Sequence, residues 1–242
     1  MKLIKLDAID STNEFLKGLS SKQKLENFTV VTAENQTKGK GQMGSVWSSE
    51  AGKNLIMSVF IKDSLFDVNQ IYNLNIAIAL AVIQSLETFN IPNLSIKWPN
   101  DIMSYNFKIG GLLIENSIKS DGTLSSIVGL GLNINQTNFD NLPKASSIAK
   151  ICKTSFDKEK VLYSIIDTIK QNTDKLKNDS DSMWDDYVNL LFKKGIPMPF
   201  KDNLNQNFMG IIQGVSSSGN LQVLLEDDSV SEYSLKEIQM LY

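Results

Sequence analysis

Lysines set among glycines, and carboxylates and amides close by, recur along this chain in patterns that suit the handling of anions. The run Gln36-Thr37-Lys38-Gly39-Lys40-Gly41-Gln42-Met43-Gly44-Ser45-Val46-Trp47 offers backbone N–H groups and two cations to a phosphate or carboxylate, and glycine permits close approach. Its spacing matches neither a P-loop nor a dinucleotide-binding turn, so composition alone reads equally as a surface loop. Lys97-Trp98-Pro99-Asn100-Asp101 places a cation, an aromatic ring, a rigid turn residue, an amide and a carboxylate together, although a Trp-Pro turn with an Asn-Asp cap is also a structural device. Lys108-Ile109-Gly110-Gly111-Leu112-Leu113-Ile114-Glu115 carries a lysine into an apolar strand through two glycines, which fits an anion held against the backbone better than solvation. Gly129-Leu130-Gly131-Leu132-Asn133-Ile134-Asn135 is a strand with glycines where a flat ligand can lie and an asparagine that both donates and accepts.

The elements that must position these groups are legible in outline. Alternation predicts strands over 3–9, 29–34, 55–61, 95–97, 108–118 and 125–133, with Ser120-Asp121-Gly122 as a hairpin turn. Ser11 with Glu14 reads as a capping box opening an amphipathic helix, and residues 69–89 read as a long buried helix. Further helices are expected at 158–176 and 182–191, with a polar loop over 136–144. From about Gly195 the texture becomes short strands at 208–215, 220–225 and 229–234 with no helix, a small barrel-like β unit. Strand neighbours joined as hairpins favour α+β over a doubly wound parallel sheet. Two domains are expected, 1–192 and 193–242.

Composition narrows the chemistry. The 242 residues include no His and one Cys, which removes Ser-His-Asp and Cys-His catalysis, imidazole-held metal, cysteine-held zinc and an internal disulfide. A single cysteine and the lack of an apolar leader point to a reducing, cytoplasmic compartment. The net charge of −3 shows no basic excess, so nucleic acid is not an expected partner, and the polar residues within 71–89 argue against a membrane span.

In this order, the runs make the chain resemble the biotin protein ligases, also called biotin–acetyl-CoA-carboxylase ligases. The likeness rests on Asp10-Ser11-Thr12-Asn13, the 39–47 loop followed by Asn54-Leu55, KWPND at 97–101, KIGGLLIE at 108–115 and GLGLNIN at 129–135, and spans essentially the whole chain. It implies a class II synthetase-like mixed sheet packed with helices, and an SH3-like β-barrel C-terminal domain. The activity it implies has two steps: the biotin carboxylate attacks the α-phosphate of Mg-ATP to give biotinyl-5′-adenylate and pyrophosphate, and a lysine of a biotin carboxyl carrier domain then attacks the adenylate. Biotin, ATP and Mg²⁺ are thus substrates, with no permanently bound cofactor. The partner is the carrier domain of acetyl-CoA carboxylase or another biotin-dependent carboxylase; a homodimer is left open.

The resemblance assigns Ser11, Thr12, Asn13, Gln36, Gly39, Lys40, Gly41, Gln42, Lys108, Gly111 and Leu113 to biotin. Lys40, Gln42, Trp47, Lys97, Asn100, Lys108 and Asn133 would serve the nucleotide. Lys108 and Asp101 would be catalytic, Lys108 bridging the biotin carboxylate and the α-phosphate, and Asp101 a Mg²⁺ ligand and candidate base for the acceptor lysine. The family's loop usually reads GRGRxGRxW, whereas the three arginine positions here are Lys40, Gln42 and Ser45. Weaker retention of the adenylate, or compensation by Lys38, is expected. Family members that repress transcription begin with a helix-turn-helix region, for which this pattern leaves no room. A lipoate–protein ligase and a non-catalytic biotin- or nucleotide-binding sensor are the alternatives.

Overall fold

The computed structural model describes residues 2–62, 71–118, 124–140 and 142–242. The expected hairpin turn at 120–122 and the first two residues of the expected helix at 69–89 lie outside them.

A strand with one buried face alternates its side chains, and the largest sheet obeys this rule. It contains β1 (Leu3–Ile9), β2 (Thr29–Gln36), β3 (Leu55–Lys62), β4 (Leu94–Lys97), β5 (Asp101–Ser104), β6 (Phe107–Ile118) and β7 (Leu124–Leu132), in the order β1-β2-β3-β7-β6-β5-β4. Only β1 and β2 run parallel; the other neighbours are antiparallel, which makes the sheet mixed, as expected. On β3, Leu55, Met57, Val59 and Ile61 enter the main core while Phe60 enters a second cluster with Leu16, Leu25, Val31 and Ile127. Helix α1 (Thr12–Lys22) therefore covers one face. Helix α2 (Ile71–Thr88) lies on the other, packed against α4 (Lys158–Lys175) and α5 (Ser180–Asn189), while the short α3 (Ile148–Cys152) bonds to the segment that follows β7.

Helix α2 is apolar almost all round, from Leu74 to Leu86, because sheet and helices enclose it. It is long and apolar enough to cross a membrane by length and composition, but most of it is buried in the core. Ser11 caps α1, its hydroxyl accepting from the Glu14 N–H. The reciprocal half of the expected capping box is missing, since the Glu14 carboxylate instead takes Lys40, 2.7 Å away.

The remaining strands are β8 (Pro197–Asp202), β9 (Asn207–Val215), β10 (Leu221–Leu224), β11 (Val230–Tyr233) and β12 (Ile238–Met240), a wholly antiparallel sheet ordered β11-β10-β9-β8-β12. Strands β8 and β12 went unread in the sequence: two prolines obscure β8, and β12 has three residues. Phe200, Ile212, Leu221 and Val223 of this sheet share one continuous hydrophobic cluster with α2 and the first sheet.

Candidate active site

Residue parity decides what the α1 face of the large sheet presents. Gly111 pairs with Gly131 and Leu113 with Gly129, so these four share a face, and Asp101 opposite Gly111 joins them. Lys108 lies an odd number of residues from Gly111 and would point away in a regular strand. A register slip corrects this: Ile102 pairs with Gly110 but Met103 with Lys108, leaving Ile109 as an extra residue. Ile109 turns fully into the core and Lys108 turns to the site, as β-bulges beside active sites do. Its Nζ then lies 2.5 Å from Asp101 Oδ1, while Lys97, across from Asp101 on β4, lies 3.9 Å from Oδ2. Burial pushes the Lys97 ammonium below its usual range, with Asp101 pulling the other way.

The opposite end is built by the α1 N-terminus and the end of β2. Gln36 Oε1 accepts from the Thr12 N–H at 2.7 Å and the Thr12 hydroxyl at 3.0 Å. That leaves the amide nitrogen beside Gly39, where a side chain would strike both it and the Trp47 carbonyl. Asn13 donates to Glu115 at 2.8 Å, and its Oδ1 lies 2.6 Å from the hydroxyl of Ser58, which also contacts Thr12 at 2.8 Å. Any Cβ on Gly129 would run into the Asn13 amide, and one on Gly131 into the Trp47 ring. The strand glycines thus make room for protein side chains that shape the site. Trp47 also faces Lys108, 5.9 Å from its ring.

Between these ends lies a cavity of about 570 Å³. Ser11, Thr12, Asn13, Gln36, Lys40, Gly41, Gln42, Trp47, Lys97, Asn100, Asp101, Lys108, Gly111 and Leu113 all line it. Two expected residues do not. Gly39 supports the loop from behind through its carbonyl, which accepts from the Trp47 N–H. Asn133 is buried with its amide donating to the Ser146 carbonyl at 3.1 Å, so it braces the 145–147 segment instead of facing the cavity. Lys38 is engaged by Asp10 at 2.9 Å and is absent from the lining, so the compensation expected of it has no geometric basis. Asp101 is also a poor metal ligand here, since both oxygens face lysine ammoniums, and no group of three metal-ligating side chains occurs among the described residues.

The sequence reading missed the second sheet's share of the wall. Phe200, Ile212, Leu235, Lys236 and Met240 all line the cavity. Trp98 ties that sheet to the 97–101 segment, its indole N–H donating to the Gly219 carbonyl at 2.9 Å. Ser58 was missed as well, because one serine inside an apolar strand carries no local signal.

The sequence model of the Biotin/lipoate A/B protein ligase family matches residues 6–133, more than half of the chain. The chain belongs to this family. Within the biotin/lipoate ligases it is 32% identical to the bifunctional ligase/repressor BirA of Bacillus spizizenii over 68% of this chain, though the match covers 51% of that protein, so the chain spans about half the length of this relative. A biotin–[acetyl-CoA-carboxylase] ligase of Mycobacterium tuberculosis is 25% identical over 79% of this chain and 71% of its own length. Among solved structures, the biotin protein ligase of Aquifex aeolicus in complex with biotin and ATP superimposes with a TM-score of 0.81 at 25% identity, covering 99% of this chain and 98% of that one. The α+β fold and its strand-rich C-terminal sheet are those of this ligase family.

Proposed function

We propose that the chain is an ATP-dependent biotin ligase that forms biotinyl-5′-adenylate and passes the biotinyl group to a lysine of a biotin carboxyl carrier domain. The observation that carries this reading is the placement of Lys108 and Asp101 in one cavity with the hydrogen-bonding end made by Ser11, Thr12 and Gln36. The Aquifex ligase, with biotin and ATP in its complex, shares this fold end to end.

In this reading a ureido head group meets the Thr12–Gln36 end, and Leu113 with the glycine floor of Gly111 receives the apolar remainder of biotin. Lys108 draws the carboxylate and the α-phosphate together and neutralises charge that builds on phosphorus; a compact ammonium serves both anions. That requires Lys108 to exchange Asp101 for its ligands, and Asp101 is then free to accept the proton of the acceptor amine. Apolar residues of the second sheet keep water from the mixed anhydride. Magnesium arrives with ATP as part of the substrate; among the described residues no three of the His, Cys, Asp or Glu side chains gather to hold it. Residues 1–192 carry the chemistry and 193–242 close the cavity, in a cytoplasmic enzyme whose partner is a carboxylase carrier domain.

The test is ATP–pyrophosphate exchange with biotin or lipoate supplied in turn, followed by transfer of labelled biotin to a purified carrier domain. Exchange with biotin is expected. Exchange with lipoate alone would replace the biotin reading with lipoylation, and none with either ligand would make the chain a binding protein.

A further inference from the structure

Glu115 ends the 108–115 run and does not line the cavity, yet a side chain that does, Asn13, depends on it. Its Oε2 takes the Asn13 amide N–H at 2.8 Å, and Lys17 of α1 lies 3.7 Å from its other oxygen. Thr12, Asn13 and Ser58 are each at most 3% exposed, so water does not compete for their protons. A carboxylate offers only acceptors, and so does the Leu113 carbonyl, 3.3 Å from the same Asn13 nitrogen. The amide therefore turns its nitrogen to β6 and its oxygen to Ser58. Asn13 Oδ1 can only accept, so the one hydroxyl proton of Ser58 lies between them, across 2.6 Å. The Ser58 oxygen is then left to accept from the Thr12 hydroxyl at 2.8 Å, and Thr12 shares its own proton between Ser58 and Gln36 Oε1. What Thr12 shows the cavity is a lone pair, while Gln36, whose oxygen the Thr12 N–H occupies, shows its NH₂.

We propose that Glu115 is a positioning residue that sets the hydrogen-bond polarity of the biotin-head end: through Asn13 and Ser58 it makes Thr12 an acceptor for a ligand N–H, beside the Gln36 donor for a ligand carbonyl. A cyclic urea complements that pattern. The inference rests on the ligase reading above and deepens it. With the Asn13 amide reversed, its nitrogen would donate to Ser58 and Ser58 to Thr12. The Thr12 proton would then oppose the ureido N–H, donor against donor. The Leu113 carbonyl alone is a weaker hold on the amide than a charge-assisted bond.

The test compares Glu115→Met and Glu115→Gln in the full chain. Glutamine keeps an acceptor oxygen and loses the charge; methionine fills similar space without a strong acceptor, at a partly exposed strand position that tolerates it. We expect Glu115→Met to raise KM for biotin about tenfold, the scale of one misplaced hydrogen bond, with KM for ATP within about twofold. Glu115→Gln should stay within about threefold of the unmodified protein for both. Equal losses in the two variants would make the charge and not the acceptor the operative feature, and would overturn the assignment. An unchanged biotin KM in Glu115→Met, or a parallel rise in KM for ATP, would do the same. Nitrogen-15 NMR of the ligand-free chain reads the Asn13 side-chain NH₂ directly. Its protons should exchange slowly in the unmodified protein and in Glu115→Gln and faster in Glu115→Met; equal rates in all three would also overturn the proposal. If the unmodified chain neither bound biotin nor catalysed exchange, the ligase reading would fail, and the NMR comparison would still decide whether Glu115 orients Asn13.

Discussion

At the scale of single residues, Lys108 and Gly129 make the strongest claims. Lys108 is the one lysine that the register slip turns to the site, beside Asp101. Lys108→Ala should lower biotin-dependent exchange by at least about a hundredfold, the cost of removing a preorganised charge from a developing anion. Near-normal turnover would show that the lysine has no part in adenylation. Gly129 is different, because its role is to be absent: the Asn13 amide fills the space a side chain would take. Gly129→Ala should destabilise the fold by about 1–3 kcal/mol through overpacking. It should also raise KM for biotin more than KM for ATP, because Asn13 adjoins Thr12 and, through Ser58, the Gln36 end. Equal shifts in both constants would place the defect elsewhere.

At the scale of elements, the second sheet is seated by aromatic groups on the helices. The Gly219 turn packs flat on the Tyr72 ring of α2, and the Tyr72 hydroxyl lies 3.0 Å from that of Tyr187 on α5. Burial holds Tyr72 neutral, its pKa pushed up to about 12. An acid whose folded pKa exceeds its unfolded value of about 10 contributes fully at lower pH and loses that contribution as pH rises from about 10 towards 12. Urea denaturation from pH 8 to 11 should therefore show stability falling above about pH 10. By pH 12 the Tyr72 share approaches about 2–3 kcal/mol, at 1.36 kcal/mol per pKa unit. Tyr72→Phe should flatten this decline; an unaltered slope would show that Tyr72 ionises as freely in the fold as outside it. Trp98→Phe, which removes the N–H bonded to Gly219 together with part of the ring packed against the core, should cost about 1–3 kcal/mol in the same assay at neutral pH.

At the scale of the whole molecule, two sheets share one core and one cavity. Ligands that span the cavity therefore stabilise both. Biotin and Mg-ATP, each at about a hundred times its Kd, should add roughly 2.7 kcal/mol apiece and slow amide exchange in β3 and β7 together with β12. Protection confined to the first sheet would mean that the second does not close over the ligand. The core itself is carried by α2, where Leu80 is almost wholly buried. Leu80→Ala should cost about 2–5 kcal/mol in denaturant titration without changing KM.

Much of this was legible in the residues, for physical reasons. Strand alternation, the Ser11 cap and the apolar run of α2 are local signals, and they placed β1, β3, β6, β7, α1 and α4 to within a few residues. The 97–101 and 108–115 runs likewise named Asp101 and Lys108, because the chemistry of anion handling is written in side-chain types. What the residues could not specify is which face each side chain takes and which distant groups meet it. The slip at Ile109 turns Lys108 inward, a matter of pairing between strands and not of sequence pattern. Asn133, whose local pattern suited a ligand, was taken instead by the Ser146 carbonyl. Glu14 found Lys40 in place of the helix N-terminus, and Lys38 found Asp10. Glu115, legible only as the end of a run, meets Asn13 because the cluster around Leu16 and Phe60 seats α1 on that face of the sheet. Composition and local pattern determined the chemistry available to this protein; tertiary packing decided which groups were spent on one another and which were left for the ligand.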